Sequence, residues 1–104
     1  MDHVSTLIAA HPVVVFSKTY CPFCVKAKKA LAPLVASHPP EFIKVLELEN
    51  HPEMNKIQDA LASLTGARSV PRVFIGGKFI GGGDDTVHLA ATGELKKLIE
   101  EVAK

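Results

Sequence analysis

Tryptophan is absent from the chain, tyrosine occurs once, and only two of the 104 residues are cysteines. Two cysteines three positions apart close too short a loop to staple a domain, which excludes the disulfide framework of a small secreted protein. An excess of charge is also lacking, since 12 basic residues face 11 acidic ones. This balance argues against a surface that follows nucleic-acid phosphates, so we expect no nucleic-acid partner.

Long hydrophobic runs are missing too. The longest apolar stretches, such as residues 7–10 and 13–16, fall far short of the ~20 residues that a membrane-spanning helix requires. The first residues carry neither the basic start and apolar core of a secretory signal nor the arginine-rich composition of a transit peptide. We therefore expect a cytoplasmic protein with no membrane partner.

The chain does contain a series of short helix and strand patterns that fit one domain over residues 1–104. Its length and its 47% hydrophobic side chains suffice for a single core. Residues 2–11 have apolar side chains at helical spacing and predict a helix that stops before Pro12. Residues 13–16 are an uninterrupted β-branched and aromatic run, which is typical of a central strand buried on both faces.

An amphipathic helix is predicted from Pro22 to about residue 37, and Pro33 within it is expected to kink or shorten it. Residues 42–48 predict a second strand, and the helix between the two strands favours a parallel crossover. A third helix is predicted to open at Pro52 and to end at a glycine C-cap. Its core stripe is Met54, Ile57, Leu61 and Leu64, and its cap is Gly66.

The remaining third of the chain predicts a hairpin followed by two helices. Residues 72–75 and 79–80 flank a Gly-Gly-Lys turn, which indicates an antiparallel pair. Asp84 and Asp85 follow a glycine cluster and suit the first turn of a helix, which Gly93 separates from a final amphipathic helix. The order αβαβαββαα predicts an α/β protein with a four-stranded mixed sheet flanked by about five helices.

Cys21 and Cys24 carry the clearest chemical signal. Cys21 precedes Pro22 at a helix start, where free N–H groups, the helix dipole and the ammonium of Lys18 all favour a thiolate. We therefore predict a pKa below the usual value of about 8.5 for Cys21. Cys24 lies one turn further on, on the apolar side of the helix, where burial disfavours charge. We expect it to remain a thiol and to react second.

A structural cysteine pair and a zinc site compete with redox chemistry as roles for the two cysteines. A buried structural pair would account for Cys24 but not for a cysteine at a helix N-terminus beside Lys18. A zinc site would need four ligands, and the five histidines show no ligand spacing around the single pair of cysteines. A CxxC segment that follows a buried strand and opens a helix favours thiol–disulfide exchange, and we expect no metal.

These segments resemble the dithiol glutaredoxins along essentially the whole chain. The sequence KTYCPFC at residues 18–24 is similar to the family's active-site segment, with Phe23 in place of the commoner tyrosine. LTGARSVPRVFIG at residues 64–76 is similar to its cis-proline region. GGGDD at residues 81–85 resembles its glutathione-binding loop, with Gly83 where many members carry a further cysteine. The resemblance implies a thioredoxin-like (glutaredoxin) fold.

The resemblance also implies an enzyme that uses glutathione as reducing co-substrate. It would reduce protein–glutathione mixed disulfides and protein disulfides, with Cys21 as nucleophile and Cys24 as resolving thiol. Nothing in the sequence indicates an obligate oligomer, so a monomer is the default expectation. Lys18 and Gln58 would hold the glycine carboxylate of glutathione, and the Val70 backbone would pair with its cysteine residue. The implied glutathione-binding residues are Lys18, Phe23, Gln58, Val70, Pro71, Gly83 and Asp84.

Two alternative functions remain open. A thioredoxin reduced by a flavoprotein would be expected to carry a Trp-Cys-Gly-Pro-Cys segment, and the chain has no tryptophan. A dimer that carries an iron–sulfur cluster would use Cys21 and glutathione as ligands. Pro22 stiffens the helix start and resembles members that are mainly redox enzymes, which favours the oxidoreductase.

Overall fold

The computed structural model describes residues 3–103; Asp2, which the sequence places in the first helix, lies outside the described residues. Their elements follow the predicted order, with one 3₁₀ turn before the second strand. They are α1 (His3–Ala10), β1 (Val13–Ser17), α2 (Pro22–Val35), the 3₁₀ turn (Pro40–Phe42), β2 (Ile43–Glu47), α3 (Met54–Thr65), β3 (Arg72–Ile75), β4 (Lys78–Gly81), α4 (Gly83–Thr92) and α5 (Glu94–Val102).

The four strands form one mixed sheet in the order β2-β1-β3-β4. β1 is parallel to β2, with Val13 opposite Ile43, and antiparallel to β3, with Val13 opposite Ile75. β3 and β4 form the predicted hairpin, and its two turn glycines, Gly76 and Gly77, have φ values of 60° and 82°. These left-handed conformations suit a tight hairpin turn and favour glycine at both positions.

β1 is buried along its whole length, as the sequence predicts for a central strand. Because successive side chains of a strand point to opposite faces, its residues divide between two hydrophobic clusters. Val13 and Val15 pack with α2 and α5, whereas Val14 and Phe16 pack with α1 and α3. The sheet therefore lies between two helical layers.

The second helix continues through Pro33 and ends at Val35, two residues before the predicted end. Proline has no N–H to donate to the carbonyl of the residue four positions earlier, here Lys29. The loss falls in the last turn of the helix, where Pro33 is exposed. The proline is thus accommodated near the helix end.

Two expectations about the third helix were wrong. It begins at Met54 rather than at Pro52, because the turn before it is closed by the Glu53 N–H donating to His51 Nδ1 at 3.0 Å. Leu64, placed by its spacing in the core stripe, is 52% exposed. It lies in the last turn, and the cluster that buries Ile57 and Leu61 does not include it. Gly66 ends the helix as predicted, with φ of 89°.

No helix within residues 3–103 is long and apolar enough to cross a membrane. The cysteine segment lies at the carboxyl end of β1, where the chain turns into α2. The backbone N–H of Leu48 donates to the Ser17 carbonyl at 2.8 Å, which ties the end of β1 to the residue after β2. The site is therefore built on the most deeply buried strand of the sheet.

Candidate active site

Cys21 is the N-cap of α2, with φ −84° and ψ 118°, and Pro22 occupies the first turn. Its sulfur accepts a hydrogen bond from the Cys24 N–H at 3.4 Å. Partial burial by itself would raise the pKa of the Cys21 thiol. Hydrogen bonds from the Cys24 side chain, from the N–H groups of Cys24 and Phe23, and the positive charge of Lys18 outweigh it and lower the pKa.

Cys24 lies one helical turn further on and is completely buried. Burial raises the pKa of its thiol, although the Lys18 N–H, 3.4 Å from the Cys24 sulfur, and the Ser17 hydroxyl oppose this effect. Both cysteines are free thiols. The structure therefore gives the two sulfurs the opposite pKa directions that the sequence predicts.

The turn between β1 and α2 is held by a carboxylate that lies just beyond the end of the neighbouring parallel strand β2. Glu49 accepts hydrogen bonds from the Thr19 hydroxyl and from the Thr19 N–H, the latter at 3.2 Å to each carboxylate oxygen. The bond from the Thr19 hydroxyl is the main reason that the pKa of Glu49 is lowered. The Cys21 N–H closes the turn by donating to the Lys18 carbonyl at 3.1 Å.

A loop at residues 66–71 approaches Cys21 through Val70. The peptide bond between Val70 and Pro71 is cis, as the family resemblance implies. The Cys21 thiol contacts the Val70 carbonyl oxygen at 3.8 Å. Substrate bound at Cys21 would therefore lie beside the backbone of Val70.

Two side chains from outside the loop fix its shape. Gln58 is buried, and its Nε2 donates to the Arg68 carbonyl at 2.8 Å. Arg72 donates from Nε to the Ala67 carbonyl and from Nη2 to the Ser69 hydroxyl, both at 3.1 Å. Its guanidinium also stacks 5.0 Å from the centre of the Phe79 ring. These hydrogen bonds therefore hold the loop in place from the protein side.

A shallow groove of about 310 Å³ lies between this loop and the start of α4, and its lining includes Val70, whose carbonyl the Cys21 thiol contacts. It brings together five of the seven predicted glutathione-binding residues. Its lining is Phe23, Ser69, Val70, Pro71, Arg72, Gly82, Gly83, Asp84 and Asp85. Lys18 and Gln58 do not line it: Lys18 lies on the turn before Cys21, and Gln58 lies beneath the loop.

The start of α4 approaches α2 closely at Gly83. A Cβ atom at this position would come within 2.6 Å of the Phe23 carbonyl oxygen, so the missing side chain permits the contact. The helix begins at Gly83 itself, and its cap is provided by Asp85, whose Oδ2 accepts from the Gly82 N–H at 3.0 Å. Asp84 remains exposed at the groove.

Sequence reasoning overlooked Glu49 and Arg72. Glu49 contacts a residue 30 positions away, and no local pattern reports such a pairing. Arg72 did leave a signal, because it is a charged residue at the start of the apolar strand run 72–75. A charged residue beside a buried strand is a candidate for hydrogen bonding to a neighbouring loop.

A lowered-pKa cysteine at a helix N-terminus, a buried partner one turn later and a cis-proline loop opposite them define a thiol–disulfide oxidoreductase site. The Glutaredoxin family model matches residues 13–80. The chain is 48% identical over 101 residues to chloroplastic glutaredoxin-C4 of Oryza sativa subsp. japonica, covering 97% of this chain and 72% of that protein. The protein therefore belongs to the glutaredoxin family.

Solved structures agree with this assignment. Oxidized glutaredoxin 2 from Chlamydomonas reinhardtii superposes with a TM-score of 0.88 at 51% identity, covering 96% of this chain and 90% of that one. The buckwheat glutaredoxin–glutathione complex superposes with a TM-score of 0.84 at 38% identity, covering 95% and 86%. The fold is the thioredoxin-like fold of glutaredoxins, and the family supports thiol–disulfide oxidoreductase chemistry with glutathione.

Proposed function

We propose that the protein reduces protein–glutathione mixed disulfides and protein disulfides, with glutathione as reductant, Cys21 as nucleophile and Cys24 as resolving thiol. The observation that carries this proposal is the position of Cys21. Its sulfur caps a helix, has a lowered pKa and faces the Val70 carbonyl beside an open groove. The fully buried Cys24 lacks such access.

In the monothiol route, the Cys21 thiolate attacks the glutathionyl sulfur of a mixed disulfide. A bond forms between Cys21 and glutathione, and the protein sulfur leaves as a thiolate that takes up a proton. A second glutathione thiolate then attacks the glutathionyl sulfur, which yields oxidised glutathione and restores the Cys21 thiolate. One free glutathione is thus consumed for each mixed disulfide, and the glutathione that was bound to the protein leaves as the other half of oxidised glutathione.

The lowered pKa of Cys21 acts mainly in the second half of this sequence. A lower pKa increases the fraction of thiolate but also reduces the nucleophilicity of each thiolate, so the attacking step gains little. A sulfur with a low pKa is, however, a good leaving group. The helix N-terminus therefore accelerates the release of Cys21 from its mixed disulfide.

In the dithiol route, Cys24 attacks the Cys21 sulfur of a Cys21–substrate disulfide. A Cys21–Cys24 disulfide forms, and the substrate leaves as a thiol. Residues three apart on a helix are neighbours, and the Cys24 N–H already contacts the Cys21 sulfur. Glutathione then reduces the internal disulfide.

Binding of glutathione is proposed for the groove between the residue 66–71 loop and α4. The backbone of Val70 would pair with the cysteine residue of the tripeptide, as in the addition of a short strand. The N–H groups at the start of α4, at Gly83 and Asp84, would bind the γ-glutamyl carboxylate, and the Asp84 carboxylate would meet its ammonium group. Lys18 would attract the glycine carboxylate, and Gln58 would also support this end of the ligand.

We also propose that the protein is a monomer and that it acts in the cytoplasm. Gel filtration tests the oligomeric state, and cell fractionation tests the location. The alternative function, a dimer that carries a glutathione-ligated iron–sulfur cluster, makes a different prediction. Anaerobic reconstitution with iron, sulfide and glutathione would then give a brown dimer whose colour is lost in Cys21→Ser.

The direct test is reduction of a glutathionylated peptide coupled to glutathione reductase. Wild-type protein is expected to turn over, Cys21→Ser to fall to the uncatalysed background, and Cys24→Ser to retain a large part of the rate, since the monothiol route needs only one cysteine. Activity that survives in Cys21→Ser would refute the assignment of the nucleophile. A wild-type protein without activity would refute the function.

A further inference from the structure

Ser17 is the last residue of β1, and its side chain is a buried polar group that the reaction described above does not use. The residue is completely buried, and its Oγ has no hydrogen-bond partner of good geometry among residues 3–103. Buried hydroxyl groups are normally satisfied, so an unsatisfied one requires a physical reason. The neighbouring side chain, that of Cys24, supplies this reason.

The periodicities of strand and helix place Ser17 opposite Cys24. Side chains two apart on a strand share a face, so Ser17 continues the face of Val13 and Val15, which packs on α2. Cys24 continues the buried stripe of α2 that includes Ala27 and Leu31. The Lys18 N–H, next to Ser17 in the chain, lies 3.4 Å from the Cys24 sulfur.

The two states of Cys24 explain why the hydroxyl lacks a partner. A thiol sulfur is a weak acceptor, so Ser17 forms no hydrogen bond of good geometry while Cys24 is protonated. The hydroxyl is nevertheless close enough to oppose the effect of burial on the pKa of Cys24. A thiolate, by contrast, accepts strong charge-assisted hydrogen bonds. The Lys18 N–H already lies 3.4 Å from the sulfur, and the Ser17 hydroxyl on the same face, unpartnered within the described part of the chain, is free to become a second donor.

We propose that Ser17 is a catalytic residue of the dithiol route, whose hydroxyl donates a hydrogen bond to the Cys24 thiolate as Cys24 attacks the Cys21 mixed disulfide. The inference rests on the proposed function. No proton leaves Ser17: the proton lost by Cys24 ends on the departing substrate sulfur. The electrons that form the Cys21–Cys24 bond come from the Cys24 thiolate.

Few other groups near Cys24 stabilise its thiolate, so the Ser17 hydroxyl has an effect there. The Cys24 sulfur lies beside the Cys21 side chain, whose negative charge disfavours a second thiolate. Once Cys21 is held in a mixed disulfide, that charge is gone. The Ser17 and Lys18 donors then decide how readily the buried Cys24 ionises and how fast it closes the internal disulfide.

The first experiment measures the ionisation of Cys24 without any glutathione. The thiolate absorbance near 240 nm is titrated in Cys21→Ser and in the double variant Cys21→Ser with Ser17→Ala. We expect the midpoint of Cys24 to move upward when Ser17 is replaced. An unchanged midpoint would show that the hydroxyl does not stabilise the Cys24 thiolate and would overturn the proposal, whatever the unfolding temperature.

The second experiment measures resolution directly. Reduced protein is mixed with one equivalent of a glutathionylated peptide, and conversion of the Cys21–glutathione adduct to the Cys21–Cys24 disulfide is followed by acid quench and mass spectrometry. Loss of one charge-assisted hydrogen bond should slow this step in Ser17→Ala about 5- to 10-fold. Ser17→Thr, which keeps a hydroxyl, should recover part of the rate.

Ser63→Ala is the matched control, since Ser63 is exposed on α3. It should resolve the adduct at the wild-type rate. Equal resolution rates in Ser17→Ala and wild type would contradict the role of Ser17 while leaving the proposed function intact. If no Cys21–glutathione adduct forms in the wild type, the proposed function itself fails, so the two failures are distinguishable.

Discussion

Cys21 and Cys24 are three positions apart, yet their surroundings differ in almost every respect. Cys21 caps the helix, is half-buried and has a lowered pKa. Cys24 is inside the first turns of the same helix, is fully buried and has a raised pKa. One helical turn is enough to separate a position where free N–H groups meet the sulfur from one where the core surrounds it.

Lys18 affects the two cysteines through different parts of the residue. Its ammonium group lowers the pKa of Cys21 through its charge, whereas its backbone N–H donates to the Cys24 sulfur. The first contribution belongs to the side chain and depends on the residue type. The second belongs to the backbone and survives substitution, so the two effects are experimentally separable.

The largest expected effect is a loss of stability when the core beneath α2, the helix that carries both cysteines, is changed. Leu31 is completely buried on the face of α2 that packs against β1. Leu31→Ala should lower the free energy of unfolding by about 2–5 kcal/mol, because it removes buried methyl groups and leaves a cavity. Urea denaturation followed by circular dichroism measures this loss.

Leu64→Ala provides the control for that experiment, because Leu64 is 52% exposed at the end of α3. It should change the free energy of unfolding by less than about 0.5 kcal/mol. Similar losses for the two leucines would contradict the assignment of the core.

A smaller effect is expected from Lys18→Gln, which removes the ammonium and keeps the backbone donor. The pKa of Cys21 should rise while that of Cys24 stays near its wild-type value, as thiolate absorbance would show. The kcat/KM for a glutathionylated peptide should fall about 3- to 10-fold, since a charge-assisted contact to glutathione is also lost. Lys29→Gln, an exposed lysine of α2, should leave both pKa values and kcat/KM unchanged.

The smallest effect is expected from Glu49, which holds the Thr19 turn before Cys21. Its folded-state pKa is lowered, so its stabilising contribution is present above the unfolded value of about 4.3 and is lost as the pH falls through the folded value. Glu49→Gln should therefore flatten the decline in unfolding temperature on acidification below about pH 4.3. Thermal melts between pH 3 and 7 test this, and parallel curves for the two proteins would refute it.

The sequence predicted those features whose causes are local. The buried run at Val13–Ser17, the hairpin glycines and the opposite pKa directions of the two cysteines follow from residue type, spacing and position relative to a helix end. The Cys21 N-cap is such a case, because Pro22 marks the first turn of a helix.

Features that depend on distant contacts were not accessible in the same way. Helical spacing placed Leu64 on the apolar face but did not show that the core ends before it. Without the family resemblance, a glutamine on this helix predicts an ordinary solvated residue, yet Gln58 is buried and donates to the Arg68 carbonyl. Glu49 acquires its role only because the parallel pairing of β1 and β2 brings it to Thr19.

The central claim is that the two cysteines differ in acidity because of their positions, and one measurement tests it directly. Thiolate absorbance is titrated against pH in Cys24→Ser, which reports Cys21, and in Cys21→Ser, which reports Cys24, each with a urea-unfolded reference. The midpoint of Cys21 should lie below that of the unfolded protein, and the midpoint of Cys24 above it. Coincident or reversed midpoints would contradict the account.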